Sequence, residues 1–170
     1  MKQKRSAVEV AMYMLGRRDY SEQEMQQKLT QKGYAEAEVQ TTLSRLKNLE
    51  YLDDAKYARH FVSDKARLAG WGKLRIRNTL KQKGVAEKAV EAAIDKFEEK
   101  IDSQAEPTWT EKATELLERR YGLVEGSLPP NEYRKRISFL LRRGFDFDQA
   151  KQALTNLKIM AEEAEDAPVF

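Results

Sequence analysis

Apolar positions along the chain recur with helical spacing, in three matching blocks. Leu29, Leu80 and Leu140 each stand four residues before a glycine: Gly33, Gly84 and Gly144. A cation precedes each glycine (Lys32, Lys83, Arg143), and a large apolar residue follows it (Tyr34, Val85, Phe145). Six, ten and thirteen residues past the glycine come Val39, Leu43 and Leu46, then Val90, Ile94 and Phe97, then Ala150, Leu154 and Leu157. Steps of four and then three trace one face of an α-helix. Each block therefore predicts a helix, a glycine cap in the left-handed region, a short turn and a second helix. The cation before the glycine sits favourably on the negative end of the first helix. Three blocks in register predict tandem helical units.

The remaining helices follow from stripes and caps. Val8, Met12 and Leu15 give a stripe over residues 5–17, broken at Asp19-Tyr20-Ser21. Ser21 with Glu24 three residues on is a capping box, and Tyr20 and Met25 occupy the positions of a hydrophobic staple around it. That helix runs to Gly33, and the next covers residues 36–49. Asp53 or Asp54 caps a fourth helix, whose apolar side is Ala58, Phe61, Val62 and Leu68, and Gly70-Trp71-Gly72 turns the chain. A fifth helix, residues 73–83, carries Ile76 and Leu80 inward, and its partner after Gly84 runs to about Glu99. Residues 101–107 read as a linker. Thr108 and Glu111 form a further capping box before Ala113, Leu117 and Tyr121. After a loop over residues 122–130, Pro130 suits the first position of a helix ending at Gly144, and the last helix is expected to reach about Ala161. No strand pattern is evident. The predicted architecture is all-α: nine helices in three three-helix repeats, at residues 1–52, 53–100 and 108–161, with an acidic tail at 162–170.

Composition narrows the chemistry. Charged residues are 35% of the 170 and hydrophobic ones 41%, the balance of small helical cores with broad polar faces. There is no cysteine, which excludes a disulfide, a thiolate metal site and a Cys nucleophile. No apolar run is long enough to span a membrane, and Met1-Lys2-Gln3-Lys4-Arg5 lacks the apolar core of a signal peptide, so a cytoplasmic protein is expected. His60 is the sole histidine, without a second His or a Cys to build a metal site or a triad around it. Asp53-Asp54, at a helix start, reads as a cap. Gly70-Trp71-Gly72 lacks the Gly-Lys-Ser/Thr of a phosphate loop. No cofactor is expected, and binding is expected in place of catalysis.

The net charge of +3 says little, but its distribution says more. Lys65, Arg67, Lys73, Arg75, Arg77, Lys81 and Lys83 follow one another with no Asp or Glu after Asp64. Lys73, Arg77 and Lys81, spaced by four, form one row on a helix face, with Trp71 at its entrance. Arg134, Lys135, Arg136, Arg142 and Arg143 are the acid-free counterpart in the third repeat. Such rows neutralise phosphates, and a nearby aromatic stacks on bases. The plainer reading is a solvated helix face with Trp71 in the core.

Three stretches carry a family resemblance. Asp19-Tyr20-Ser21-Glu22-Gln23-Glu24-Met25 through Leu29, then Tyr51-Leu52-Asp53-Asp54 with Tyr57-Ala58 and Phe61-Val62, then Gly70-Trp71-Gly72-Lys73-Leu74-Arg75-Ile76 leading to Leu80 and Lys83-Gly84-Val85, resemble in kind and order the signatures of the RecX family of RecA regulators. Lys73 stands where that family often has Pro. The resemblance implies three tandem three-helix repeats in an elongated, curved molecule. It also implies a non-enzymatic modulator that lodges in the groove of RecA filaments on single-stranded DNA. Such a protein limits filament extension, ATP hydrolysis and strand exchange, and a monomer is expected. The residues alone lead only to a cationic helical binding protein. Two other classes remain open on them: a helical module acting on DNA without a recombinase, and a protein-only repeat scaffold.

Overall fold

The computed structural model describes residues 5–123 and 126–161. Its elements are α1 (Ala7–Leu15), α2 (Glu22–Gln31), α3 (Glu36–Asn48), α4 (Asp54–Arg67), α5 (Lys73–Gln82), α6 (Glu87–Asp102), α7 (Trp109–Tyr121), β1 (Gly126–Leu128), α8 (Pro130–Arg143), α9 (Phe147–Asn156) and β2 (Ile159–Ala161). Among the described residues the nine expected helices are all present.

The repeated glycine block is a repeated hydrogen-bond motif. Gly33, Gly84 and Gly144 have φ of 82°, 78° and 92°. The amides of the following residues donate back to the leucines of the block: Tyr34 to Leu29 O (3.3 Å), Val85 to Leu80 O (3.2 Å) and Phe145 to Leu140 O (3.2 Å). Each glycine amide donates one residue later, to Thr30, Lys81 and Leu141 respectively. This is the Schellman closure, and it satisfies carbonyls that a helix end otherwise leaves open. The third helix of each repeat ends with a left-handed residue as well, but there it is Glu50 (φ 58°), Gln104 (φ 59°) or Lys158 (φ 55°). A side chain in that region costs about 1–2 kcal/mol, of which the extra unfolded-state entropy of glycine returns part. Glu50→Gly is therefore expected to stabilise the protein by up to about 1 kcal/mol, read as a higher urea midpoint at unchanged slope.

The helix starts also follow the sequence. Ser21 and Glu24, and Thr108 and Glu111, form the expected capping boxes, and Ser6 with Glu9 forms another. The two aspartates share the capping role in an unexpected way. Asp53 Oδ1 accepts from the amides of Ala55 and Lys56 at the start of α4 (2.8 and 3.0 Å). Asp54 Oδ1 instead accepts from the Glu22 amide at the start of α2 (2.8 Å).

Two expectations are corrected. The last helix ends at Asn156, and Ile159–Ala161 is a strand paired in parallel with Gly126–Leu128, Gly126 opposite Ile159. Three residues are too few to show the alternation that marks a strand, and Ala161, four residues after Leu157, extends the helical stripe by chance of spacing. The expected acidic tail, 162–170, lies outside the described residues.

Backbone packing divides the chain into two compact units that cut across the repeats: residues 1–62 with 77–97, and 63–76 with 98–170. In the first unit, Ala7, Ala11, Met14, Met25, Leu29, Val39, Leu43, Leu46 and Leu52 form one core, with Tyr20 and Tyr34 half-buried at its edge. The Ser21 hydroxyl donates to the Lys83 carbonyl (2.7 Å), so one serine caps α2 and also takes up an end carbonyl of α5. In the second unit α7, α8 and α9 pack together over Ala113, Leu117, Leu140, Phe145, Ala150 and Leu154, and β2 lies against α8 and α9.

Candidate functional site

The sequence shows two basic clusters but not their surroundings. The row Lys73, Arg77, Lys81 faces carboxylates on α6. Arg77 Nε and Nη2 donate to the two oxygens of Glu91 (2.7 and 2.9 Å), and Lys81 Nζ reaches Glu87 at 2.5 Å, both within the first unit. In the second unit Lys73 Nζ donates to both oxygens of Glu98 (2.7 and 3.0 Å), and the Trp109 indole N–H donates to the same carboxylate (3.0 Å). Lys83 pairs with Glu24 (2.5 Å), which also accepts from the Tyr57 hydroxyl (3.1 Å) and the Ser21 amide (3.2 Å). The Tyr57 hydroxyl is held above the usual tyrosine range by burial and by the Glu24 charge beside it. Arg67 pairs with Glu106. Phosphates would have to displace these carboxylates to reach the cations.

Glu106 anchors the segment after α6. Its carboxylate also takes Lys112 (3.1 Å). Burial alone would push its pKa up, but the hydrogen bonds from Lys112 and Arg67 outweigh that, and the net pKa falls below the ordinary 4.5. A depressed carboxylate stabilises the fold above the unfolded-state pKa, and the stabilisation is lost as pH drops through the folded value. Glu106→Gln is thus expected to lower the melting temperature at pH 7, and the difference to shrink as pH falls below the ordinary carboxylate range. Thermal unfolding across that range, compared with the wild type, checks this.

Other cations of the two clusters converge. In the second unit the Gly70-Trp71-Gly72 turn lies against the end of α8: the Gly72 amide donates to Arg143 O (2.8 Å) and the Leu74 amide to Gly144 O (3.0 Å). Ideal Cβ atoms show how close this is. One on Gly72 would stand 2.3 Å from the carbonyl carbon and oxygen of Gly144, and one on Gly144 would stand 2.3 Å from Arg75 Cβ. The turn thereby brings the two basic clusters together. The Arg75 guanidinium lies 4.0 Å from the centre of the Trp71 ring and the Lys65 ammonium 5.2 Å. Arg75 Nη1 donates to Arg142 O (3.4 Å), and Arg143 Nη1 donates to Ala69 O (3.0 Å). Arg75 and Arg142 are exposed and have no carboxylate partner among the described residues. Trp71 is half-buried, its ring shared between the interior and the surface.

The other candidates fall elsewhere on α8. Arg134 is exposed, its Nε donating to Pro130 O (3.1 Å), and exposed Lys135 is 3.5 Å from Glu132. Lys135 and Arg142, seven residues apart, share a face about 10 Å along the helix. Arg136 is withdrawn: it is 6% exposed and stacks on Tyr121 at 4.8 Å, and its Nε and Nη1 have no hydrogen-bond partner among the described residues.

The sequence reading missed three exposed apolar side chains around Gly144: Leu74 (44% exposed), Leu141 (42%) and Phe147 (58%). The available signal was phase. It holds for Leu74, two residues before Ile76 and off the stripe of Ile76 and Leu80, but not for Leu141, which stands four after Ile137 and is told apart only by the packing. Flanked by Arg75 and Arg142, they make a mixed apolar and cationic face suited to an acidic partner with apolar anchors or to single-stranded nucleic acid. Among the described residues there is no cluster of metal-ligating side chains, and no helix is long and apolar enough to cross a membrane.

Comparison with known proteins places these features. Residues 7–46 match the family model described as RecX, first three-helix domain; 53–94 match the second three-helix domain and 110–154 the third. The chain is 37% identical over 150 residues to the Regulatory protein RecX of Vibrio campbellii, covering 88% of this chain and 90% of that one. The same protein of Vibrio parahaemolyticus gives the same identity and coverage. The crystal structure of RecX from Lactobacillus salivarius superposes with a TM-score of 0.68 at 22% identity, covering 89% of this chain and 94% of that one.

Proposed function

The chain belongs to the RecX family, and from that premise we propose that it is a non-enzymatic modulator of the RecA recombinase, mainly an inhibitor. It acts in the cytoplasm as a monomer on filaments assembled on single-stranded DNA, lodging in their groove and limiting extension, ATP hydrolysis and strand exchange. The three repeats, bounded at 1–52, 53–100 and 108–161, are its binding units. The observation that carries the reading is the face formed where Gly70-Trp71-Gly72 meets the end of α8. There Arg75 and Arg142 remain available beside Trp71, Leu74, Leu141 and Phe147, whereas the row on α5 is taken up by α6.

Linked units add weak contacts through effective concentration, so such a protein holds several filament subunits without a large single interface. The test is a comparison of binding to bare single strands, bare duplex and a preformed RecA filament at two salt concentrations. Preference for the filament is expected. Equal binding to bare duplex would favour a DNA-binding module that needs no recombinase, and salt-independent binding would favour a protein-only scaffold.

A further inference from the structure

Arg136 carries an unmet charge. Its side chain is 6% exposed, and Nε and Nη1 lie in the interior with no hydrogen-bond partner among the described residues. An arginine keeps its proton at any ordinary pH, so deprotonation cannot relieve the burial. The face of the Tyr121 ring, 4.8 Å away, is a weak electrostatic partner and accepts no conventional hydrogen bond from the N–H groups. A buried charge left in this state destabilises the fold unless a counter-charge binds to it.

Two further arginines belong to the same cluster, all of it in the second unit. Arg136, Phe139 and Arg143 stand at positions i, i+3 and i+7 of α8, on one face of the helix. The last turn of α7 lies across that face, with the Tyr121 and Phe139 rings edge to face at 5.9 Å. The Arg120 guanidinium carbon is 4.7 Å from the centre of Phe139 and 5.6 Å from that of Tyr121, and the Arg143 carbon is 5.4 Å from Phe139. Arg120 is exposed and Arg143 half-buried, and neither has a carboxylate partner among the described residues.

We propose that this cluster binds a phosphate group, with Arg136 at its back, Arg120 and Arg143 at its mouth and the Tyr121 ring turning aside to admit it. Three guanidinium groups from two helices suit a tetrahedral polyanion better than a planar carboxylate with one charge and two oxygens. Tyr121 closes α7 and is followed by Gly122 at φ 75°, so its ring moves without disturbing the interior of a helix. Consecutive helix positions are about 100° apart, which sets Arg136 and Arg143 round α8 from the face of Lys135 and Arg142. The site is therefore separate from the Arg75–Arg142 face. A nucleic-acid backbone and a free phosphate ester both present the group it takes.

The experiment titrates the full-length protein with inorganic phosphate at constant ionic strength, beside acetate, and repeats the titration on Arg136→Met and Arg120→Gln. Melting temperature and the Arg136 Nε–H signal in nitrogen–proton spectra are read. Phosphate at tens of millimolar is expected to raise the wild-type melting temperature by about 3 °C beyond the general salt effect seen in Arg136→Met. The Nε–H signal should move downfield as it gains an acceptor. Without phosphate, Arg136→Met should melt no lower than the wild type, because it removes an unpaired buried charge at similar volume. Arg120→Gln, at an exposed position, should keep the fold and weaken phosphate binding about threefold.

A mononucleotide and an oligothymidine complete the series. Matching responses to both, per phosphate, assign the site to phosphate esters in general, and displacement of phosphate by oligothymidine alone assigns it to a strand backbone. An equal phosphate response in wild type and Arg136→Met, an unmoved Nε–H signal, or an equal response to acetate would overturn the site. A marked loss of stability in Arg136→Met without phosphate would overturn its premise that the charge is unmet. No recombinase is present in these measurements, so their outcome is independent of whether the RecA reading stands.

Discussion

Replacing Gly72 by Ala is expected to cost roughly 2–3 kcal/mol of unfolding free energy. The new Cβ would stand 2.3 Å from Gly144 C and O and 2.4 Å from Phe145 N, all of them backbone atoms. No rotamer change relieves such a contact. The turn must draw back from the end of α8, and the hydrogen bonds from the Gly72 and Leu74 amides, 2.8 and 3.0 Å, are strained or lost with it. Each is worth about 1 kcal/mol. Gly16 is the control. Its φ is −66° and an added Cβ would meet nothing closer than 3.5 Å, so Gly16→Ala should be neutral or stabilising by up to about 1 kcal/mol. Urea unfolding of the two variants beside the wild type checks the pair. A Gly72→Ala midpoint equal to that of the wild type would mean that the turn does not need this approach.

The second large effect separates two kinds of cation. Arg77→Glu with Lys81→Glu removes the pairs to Glu91 and Glu87 and sets like charges face to face. A loss of stability of about 1–2 kcal/mol is expected, with binding to filaments nearly unchanged in the folded protein. Arg75→Glu with Arg142→Glu should do the reverse. Neither residue has a carboxylate partner among the described residues, so stability should hold, while filament affinity falls about tenfold or more. If the two arginines meet phosphates, the salt dependence should also flatten by about two released counterions. Equal loss of binding in both double variants would return the α5 row to the role the sequence suggested for it.

These contrasts also mark how far the sequence carries. The Schellman closures at Gly33, Gly84 and Gly144 and the boxes at Ser21 and Thr108 were legible because each depends on residues close along the chain. So was the helical phase of the three blocks. The basic row was visible too, but its partners were not. The absence of acids between positions 65 and 83 says nothing about a helix packed across from α5, and α6 places Glu87, Glu91 and Glu98 there. Gly72 could be read as a turn residue but not as one half of a backbone contact, since its other half is Gly144. For the same reason the meeting of Arg75 with Arg142 appears only in the fold. The short parallel pair β1–β2 shows no alternation, and Asp54 caps a helix that begins far from it in sequence.

The steady-state rate of RecA-dependent ATP hydrolysis on single-stranded DNA tests the central claim most directly. It is measured with preformed filaments at increasing amounts of this protein and of its R75E/R142E variant. The wild type is expected to slow hydrolysis at concentrations well below that of RecA, and the variant to need about tenfold more for the same effect. An unchanged rate at equimolar wild-type protein would contradict the proposed role.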